Sequence, residues 1–124
     1  MNNKKTGTDF ERYIYDLYAQ NGYWVHFISP DNRGSQPFDF IAVKNGRVMV
    51  FDCKTCKDDI FRISRLEDNQ IMAFEKWIAC GNPMPFIVIE HNSAIYMVEY
   101  DRLKSKGKID LRKEQVCTWL ISAE

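Results

Sequence analysis

Two acidic residues and a lysine are spaced in this 124-residue sequence so that they could hold a divalent cation. Asp39 ends the tripeptide Pro-Phe-Asp, and after twelve further residues the tripeptide Asp52-Cys53-Lys54 follows. Asn45-Gly46 lies between them, and Asn-Gly flanked by apolar runs is the strongest short-range signal for a β-hairpin. We therefore predict two paired strands, over residues 38–43 and 47–54, joined by a tight turn.

A two-residue turn at Asn45-Gly46 also fixes which residues face each other. Ile41 then lies opposite Val50, and Asp39 lies opposite Asp52, with Cβ atoms ~4.5–5.5 Å apart on one face of the sheet. Lys54 is two residues beyond Asp52, so the alternation of side chains along a strand places it on the same face.

Like charges that oppose each other on neighbouring strands destabilise a sheet unless something compensates for them. Mg²⁺ suits such a pair, because it binds hard oxygen ligands, keeps several waters and accepts phosphate oxygens. The ion could polarise a phosphoryl group and activate a water molecule, which Lys54 could orient or deprotonate. The structural alternative is that Lys54 merely neutralises Asp39 and Asp52 in an ion cluster.

Two helices are predicted to frame this hairpin. The residues from Thr8 to Glu11 have capping-box spacing, so the first helix is expected to begin near residues 6–8 and to end at Asn21-Gly22. The second is expected to run from residue 64 to about residue 80, with Ser64 and Glu67 as its capping box.

Aromatic and β-branched runs predict three more strands, over residues 23–28, 85–90 and 94–100, and residues 29–37 have loop composition. The order α, β, β, β, α, β, β predicts an α/β fold with a mixed central sheet flanked by helices. The length fits a single domain over residues 1–124.

The composition excludes several classes of protein. There are 17 basic and 17 acidic residues, so the formal net charge is zero, whereas a non-specific DNA-coating protein has a basic excess. No apolar run approaches the ~20 residues of a membrane span. Four cysteines without an export signal are typical of reduced thiols in a cytosol, and we expect a bacterial or phage-infected host cell.

These motifs, taken in order, resemble the PD-(D/E)xK nuclease superfamily and, within it, the Holliday junction resolvases of the RecU/Hjc type. Residues 37–39 and 52–54 match the defining signature, and residues 7–11 resemble the Gly-x-x-x-Glu of the first helix. Residues 33–42, Gln70 and the tail over residues 107–113 extend the resemblance to roughly residues 7–115. RecU-type enzymes carry a long stalk insertion before the second strand, which this chain lacks, as does the archaeal Hjc type.

The resemblance implies a restriction-endonuclease-like fold and an Mg²⁺-dependent DNA endonuclease, with Mn²⁺ as a substitute. It also implies a homodimer that resolves four-way junctions in DNA recombination and repair. Glu11, Asp39 and Asp52 would be metal ligands or near-ligands, Lys54 would serve the attacking water or the scissile phosphate, and Gln70 would support the site. From the residues alone, Glu11 is only a capping glutamate, and Gln70 could simply bond a backbone group.

Further polar residues are candidates for contact with the DNA backbone. These are Lys4, Lys5, Arg33, Ser35, Lys104, Lys106 and Lys108. Turn chemistry would equally account for Arg33 and Ser35, and a solvated surface for the lysines. Cys53 and Cys56 form a C-x-x-C without a second pair at zinc-ligand spacing, so we predict that they are buried packing residues.

Two other functions remain open at this stage. One is a restriction-like or repair nuclease that acts on duplex or flap DNA. The other is a non-catalytic DNA-binding module that keeps the fold and binds DNA whether or not a divalent metal is present.

Overall fold

The computed structural model describes residues 3–29 and 36–118, with residues 3–8 described by their backbone alone. The helices in this part of the chain are α1 (Asn3–Gln20), α2 (Asp68–Ala79) and α3 (Tyr100–Lys106), with 3₁₀ turns at Ile63–Arg65 and Leu111–Lys113. The strands are β1 (Trp24–Phe27), β2 (Phe40–Lys44), β3 (Arg47–Thr55), β4 (Ile60–Arg62), β5 (Phe86–His91), β6 (Ala94–Glu99) and β7 (Lys108–Asp110).

The main sheet has five strands in the order β1-β2-β3-β5-β6. All neighbouring pairs are antiparallel except β3 and β5, which run parallel and are connected through β4 and α2. β4 and β7 pair antiparallel in a separate two-stranded sheet. The predicted fold class, a mixed sheet flanked by helices, is confirmed.

Alternation along β3 sends its side chains into two different cores. Phe51 joins a buried cluster beneath α1, where Phe10, Ile14 and Leu17 form the apolar stripe of that helix. Val50 points the other way, into the cluster that includes Phe74 of α2. Asp52 has the same parity as Val50, so its carboxylate is directed towards the α2 side.

The predicted hairpin register is confirmed. Ile41 pairs with Val50, and Lys44 pairs with Arg47 across the turn. Asn45 and Gly46 have φ angles of 53° and 77°, as a tight turn with two left-handed residues requires. The ladder ends one residue before the predicted Asp39–Asp52 pair, but Asp39 N still donates a hydrogen bond of 2.9 Å to Phe51 O, which keeps Asp39 beside β3.

Both predicted capping boxes are wrong. α1 begins at Asn3, so Thr8 lies inside the helix and cannot cap it. Ser64 belongs to a 3₁₀ turn, and α2 begins later, at Asp68, with Glu67 as its N-cap. The side-chain oxygen of Gln70 accepts the Glu67 N–H at 3.0 Å. The capping box of α2 is therefore formed by Glu67 and Gln70, three residues after the predicted pair.

The structure adds elements to the predicted order. β4 lies in the charged connection after β3, and α3 and β7 lie in the basic tail. Their buried residues, which include Phe61, Leu103 and Ile109, join the core on the α2 side. Short elements of this kind carry too few apolar residues to show a periodicity, and they are stable because they pack on a core that other elements build.

His91, at the end of β5, contacts the segment that follows β3, over residues 56–59. Its Nδ1 lies 2.8 Å from Cys56 O and its Nε2 lies 3.1 Å from Asp59 Oδ1. Only the protonated ring donates to both oxygens. The Cys56 carbonyl, followed by the Asp59 carboxylate, therefore raises the pKa of His91.

The raised pKa predicts a pH-dependent stability. Protonated His91 adds to the free energy of unfolding. This contribution is fully present below the unfolded-state pKa of about 6.5 and is lost as the pH rises through the folded-state pKa. His91→Gln should flatten the decline in unfolding free energy between about pH 6 and about pH 8, measured by chemical denaturation. His26→Gln is the matched control, since the chain has two histidines and His26 is exposed. An unchanged decline in His91→Gln would contradict the assignment.

Candidate active site

Asp39 and Asp52 lie side by side beneath the surface, with 8% and 1% of their area exposed. Asp39 Oδ2 accepts the backbone N–H of Cys53 at 2.6 Å. Asp52 Oδ1 accepts a hydrogen bond of 2.6 Å from Gln70 Nε2. The two carboxyl groups are also within hydrogen-bonding reach of each other. The hairpin and the first turn of α2 therefore build the pair together.

The second oxygen of Asp52 is poorly compensated. Asp52 Oδ2 lies 3.4 Å from Lys54 Nζ, but it is buried and accepts no well-formed hydrogen bond from the described residues. Burying an ionised carboxylate costs several kcal/mol unless it is both paired and hydrogen-bonded. A ligand that supplies positive charge at this oxygen would offset the free-energy cost of burying the carboxylate.

Gln70 connects the acidic and basic members of the site. Its amide nitrogen donates to Asp52, while its oxygen lies 3.3 Å from Lys54 Nζ and 3.0 Å from Glu67 N. These partners fix the orientation of the amide, because the oxygen faces two donors and the nitrogen faces an acceptor. Gln70 therefore bonds the backbone at the start of α2 and also contacts Asp52 and Lys54, while its support of catalysis stays a prediction.

Burial governs the protonation of the pair. It raises the pKa of Asp52 well above the usual range, the nearby charge of Asp39 raises it further, and the Lys54 ammonium offsets part of the rise. Burial likewise raises the pKa of Asp39, although the hydrogen bond from Cys53 N–H counteracts it. The pair thus disfavours two uncompensated negative charges at once.

Two glutamates extend the acidic region. Burial, then the charge of Asp39, raises the pKa of Glu11 to about 7, and Lys54 opposes this. The charge of Glu67 also acts on Asp39. The sequence motifs do not place Glu67 among the candidate site residues, although its capping spacing to Gln70 is a signal that could identify it.

The donor set suits a hard divalent cation. In residues 3–29 and 36–118, no three His, Cys, Asp or Glu side chains converge closely enough to hold an ion as a group. Asp39 and Asp52 would therefore be the central ligands, and Mg²⁺ commonly takes one or two carboxylates and retains waters. Direct ligation by Glu11 stays a prediction.

The candidate DNA contacts are distributed unevenly. Arg33 and Ser35 lie outside the described residues, and the Lys4 and Lys5 side chains are likewise not described. Lys104 forms an ion pair of 2.9 Å with Glu75 of α2, so its charge is partly neutralised within the protein.

Lys106 and Lys108 line a cleft with Lys113 at the junction of α3 and β7. For all seven candidate residues, including those of the preceding paragraph, a contribution to DNA binding stays a prediction.

The prediction of buried packing cysteines is confirmed for Cys56, whereas Cys53 is only half-buried. Both thiols are free, and Cys56 is buried and donates to Asp58 O at 3.1 Å. Cys53 packs against the α1-side core, and burial raises its pKa well above the usual range. A thiol in that state is neither a ready metal ligand nor a nucleophile.

The fold and the site together define a nuclease of the PD-(D/E)xK superfamily. Its signature is a hairpin on a mixed sheet that brings Asp39, Asp52 and Lys54 to one face, with α2 packed against them.

Comparison with known proteins identifies the family more closely. The family model described as archaeal Holliday junction resolvase (Hjc) matches residues 2–118, and the chain belongs to this family. The crossover junction endodeoxyribonuclease Hjc of Methanocaldococcus jannaschii is 28% identical over 104 residues, which cover 84% of this chain and 73% of that protein.

A solved structure supports the same fold. The structure of Archaeoglobus fulgidus Hjc, a Holliday junction resolvase from an archaeal hyperthermophile, aligns with a TM-score of 0.67. The alignment covers 94% of this chain and 96% of that one at 14% identity, so this likeness concerns the fold.

The chain is therefore a hydrolase, an endodeoxyribonuclease of the Hjc type, and nucleases of this type are metal-dependent. Both relatives are archaeal, so they give no support to a bacterial or phage-infected host. Among the described helices, none is both long enough and apolar enough to cross a membrane.

Replacing Asp52 tests whether the cluster is built for a cation or for its own stability. In the metal-free protein, Asp52→Asn keeps an acceptor for Gln70 and removes a buried charge next to Asp39. The unfolding free energy should rise by about 1 kcal/mol or more. The gain should be larger at about pH 8 than at about pH 5, because a carboxyl group with a raised pKa destabilises the fold as the pH climbs above its ordinary value.

The measurement is chemical denaturation in the presence of a chelator, with Asp9→Asn, an exposed position on α1, as the control. A loss of several kcal/mol in Asp52→Asn would favour the structural alternative, in which Lys54 neutralises the aspartates.

Proposed function

We propose that this protein is an Mg²⁺-dependent endonuclease that cuts four-way DNA junctions by hydrolysing phosphodiester bonds. The observation that carries the proposal is the buried Asp39–Asp52 pair in a chain of the Hjc family, in which one Asp52 oxygen has no hydrogen bond from the described residues and is only partly compensated by Lys54. Relatives of this chain bear the names crossover junction endodeoxyribonuclease and Holliday junction resolvase.

Asp39 and Asp52 would hold the cation. Their oxygens are hard donors, and the ordinary cellular ion of this kind is Mg²⁺, with Mn²⁺ as a substitute of similar preference for oxygen. When bound, the ion would neutralise the pair, polarise the scissile phosphoryl group and activate water.

Lys54 would contact the reacting groups and would not serve only to neutralise the aspartates. Its ammonium is partly exposed and is held by Asp52 and Gln70, so it has a defined position and still reaches the surface. From there it can orient the attacking water or balance the negative charge that develops on the phosphate. Glu11 would complete the acidic site from α1.

The substrate requires two such sites. Resolution of a four-way junction cuts two strands, and we infer that two copies of this chain associate so that each presents one Asp39–Asp52 pair. With a net charge of zero, the protein would position the junction through local phosphate contacts rather than through a general basic field.

Cleavage assays test the activity. Wild-type protein with Mg²⁺ should cut a synthetic four-way junction and leave a linear duplex of matched sequence largely intact. Asp52→Asn should lower the rate at least ~100-fold, because the charge that holds the cation is lost. Glu99→Gln, an exposed carboxylate on β6, is the matched control and should cut at the wild-type rate.

The outcomes separate the competing functions. Equal cutting of junction and duplex would indicate a restriction-like or repair nuclease. DNA binding without cutting, and without dependence on metal, would indicate a non-catalytic module. Wild-type cutting by Asp52→Asn would show that the site lies elsewhere.

Metal binding can be measured without DNA. Saturating Mg²⁺ or Mn²⁺ should raise the thermal unfolding midpoint of the wild-type protein, and an ion at 100 times its Kd contributes about 2.7 kcal/mol. Asp39→Asn and Asp52→Asn should each abolish most of this shift, while Glu99→Gln should retain it. An equal shift in all four proteins would place the cation away from the pair.

A further inference from the structure

One edge of β3 is open beside the site. β2 pairs with β3 only as far as Phe40 opposite Phe51, while β3 continues to Thr55. On its other side, β3 remains paired with β5 over these last residues, from Asp52 to Thr55. Beyond Asp52, its backbone groups on the β2 side are therefore not paired with another strand.

Two side chains occupy this open edge. Asp39 Oδ2 accepts the Cys53 N–H at 2.6 Å, and Arg65 Nη2 donates to Thr55 O at 2.9 Å. Alternate residues of a strand direct their backbone groups to the same side, so both contacts lie on one edge. They are two residues apart, which places the Arg65 guanidinium ~7 Å farther along β3 than the Asp39 contact.

The Arg65 guanidinium is anchored but not neutralised. Besides its bond to Thr55, it lies over the ring of buried Phe61, 5.4 Å from the centroid. It forms no ion pair with any carboxylate in the described part of the chain. Arg65 is exposed, so most of its five N–H donors and its charge face solvent.

This arrangement is what phosphate recognition requires. A guanidinium binds phosphate through paired N–H donors, and its affinity improves when other contacts already hold its orientation. Lys54 cannot fill this role alone, because Asp52 and Gln70 engage its ammonium. Without a bound metal ion the acidic site repels DNA, and a fixed positive side chain nearby favours binding of the strand against it.

We propose that Arg65 binds a DNA phosphate adjacent to the scissile one and so determines which phosphodiester bond lies over Asp39 and Asp52. The distance along β3 is comparable to the separation between neighbouring phosphates of one strand. The proposal rests on the proposed nuclease function and adds to it a substrate-binding residue outside the signature motif.

The test measures binding to a four-way junction over a series of salt concentrations, in the presence of a chelator so that no strand is cut. Removing one phosphate contact should weaken binding about tenfold and reduce the salt slope by about one. Arg65→Ala and Arg65→Gln should both show this loss, and Arg65→Lys should recover the slope. Arg47→Ala is the matched control, since Arg47 is exposed at the hairpin turn, at the opposite end of β3.

A purely structural role for Arg65 predicts a different result. In that case Arg65→Ala would lower the thermal unfolding midpoint, and the salt slope of every folded variant would equal that of the wild type. Arg65→Gln keeps a donor for Thr55 without the charge, so it decides the question even if Arg65→Ala fails to fold. A wild-type slope in Arg65→Gln overturns the proposal.

The same variants separate a failure of the Arg65 assignment from a failure of the proposed nuclease function. If the wild type binds the junction but never cuts it with Mg²⁺, the nuclease proposal fails, while the slope of the Arg65 variants still reports on the phosphate contact. If the wild type cuts and Arg65→Gln has the wild-type slope, only the Arg65 assignment fails.

Discussion

The site of this protein depends on the burial of two carboxyl groups against each other. Asp39 and Asp52 lie beneath the surface, within hydrogen-bonding reach, and burial raises the pKa of both. Such a pair lowers the stability of the folded chain unless positive charge reaches it. One lysine supplies part of that charge, and one oxygen remains without a hydrogen bond from the described residues. The fold therefore maintains a local electrostatic deficit that a hard cation can satisfy.

The surrounding elements each hold part of this arrangement. The antiparallel hairpin brings Asp39 to the open edge of β3, where a backbone N–H binds it. The first turn of α2 supplies Gln70, which joins Asp52, Lys54 and the cap of the helix in one hydrogen-bonded group. The 3₁₀ turn before α2 presents Arg65 on the same edge. The parallel pairing of β3 and β5 needs a crossover connection, and α2 in this crossover packs across the face that carries the acidic residues.

Local signals predicted the parts of the fold that local geometry controls. The Asn45-Gly46 turn fixed the hairpin register, and the apolar stripe of α1 identified its buried face. Capping was less predictable, because Thr, Ser and Glu at the right spacing recur in sequences, and only packing selects which of them begins a helix. β4, α3 and β7 gave no periodic signal, since elements of three to seven residues exist only through their contacts with the core.

By itself, the sequence determined the hairpin register, the shared face of Asp52 and Lys54, and the likeness to a family of nucleases. These follow from side-chain alternation and turn chemistry, which act over a few residues. The tertiary structure alone decided that Gln70 bridges Asp52 and Lys54, that Glu67 adds its charge to the site, and that Arg65 stands at the open edge of β3. Those contacts join residues of separate elements, and their geometry is set by how α2 packs on the sheet, which no local pattern encodes.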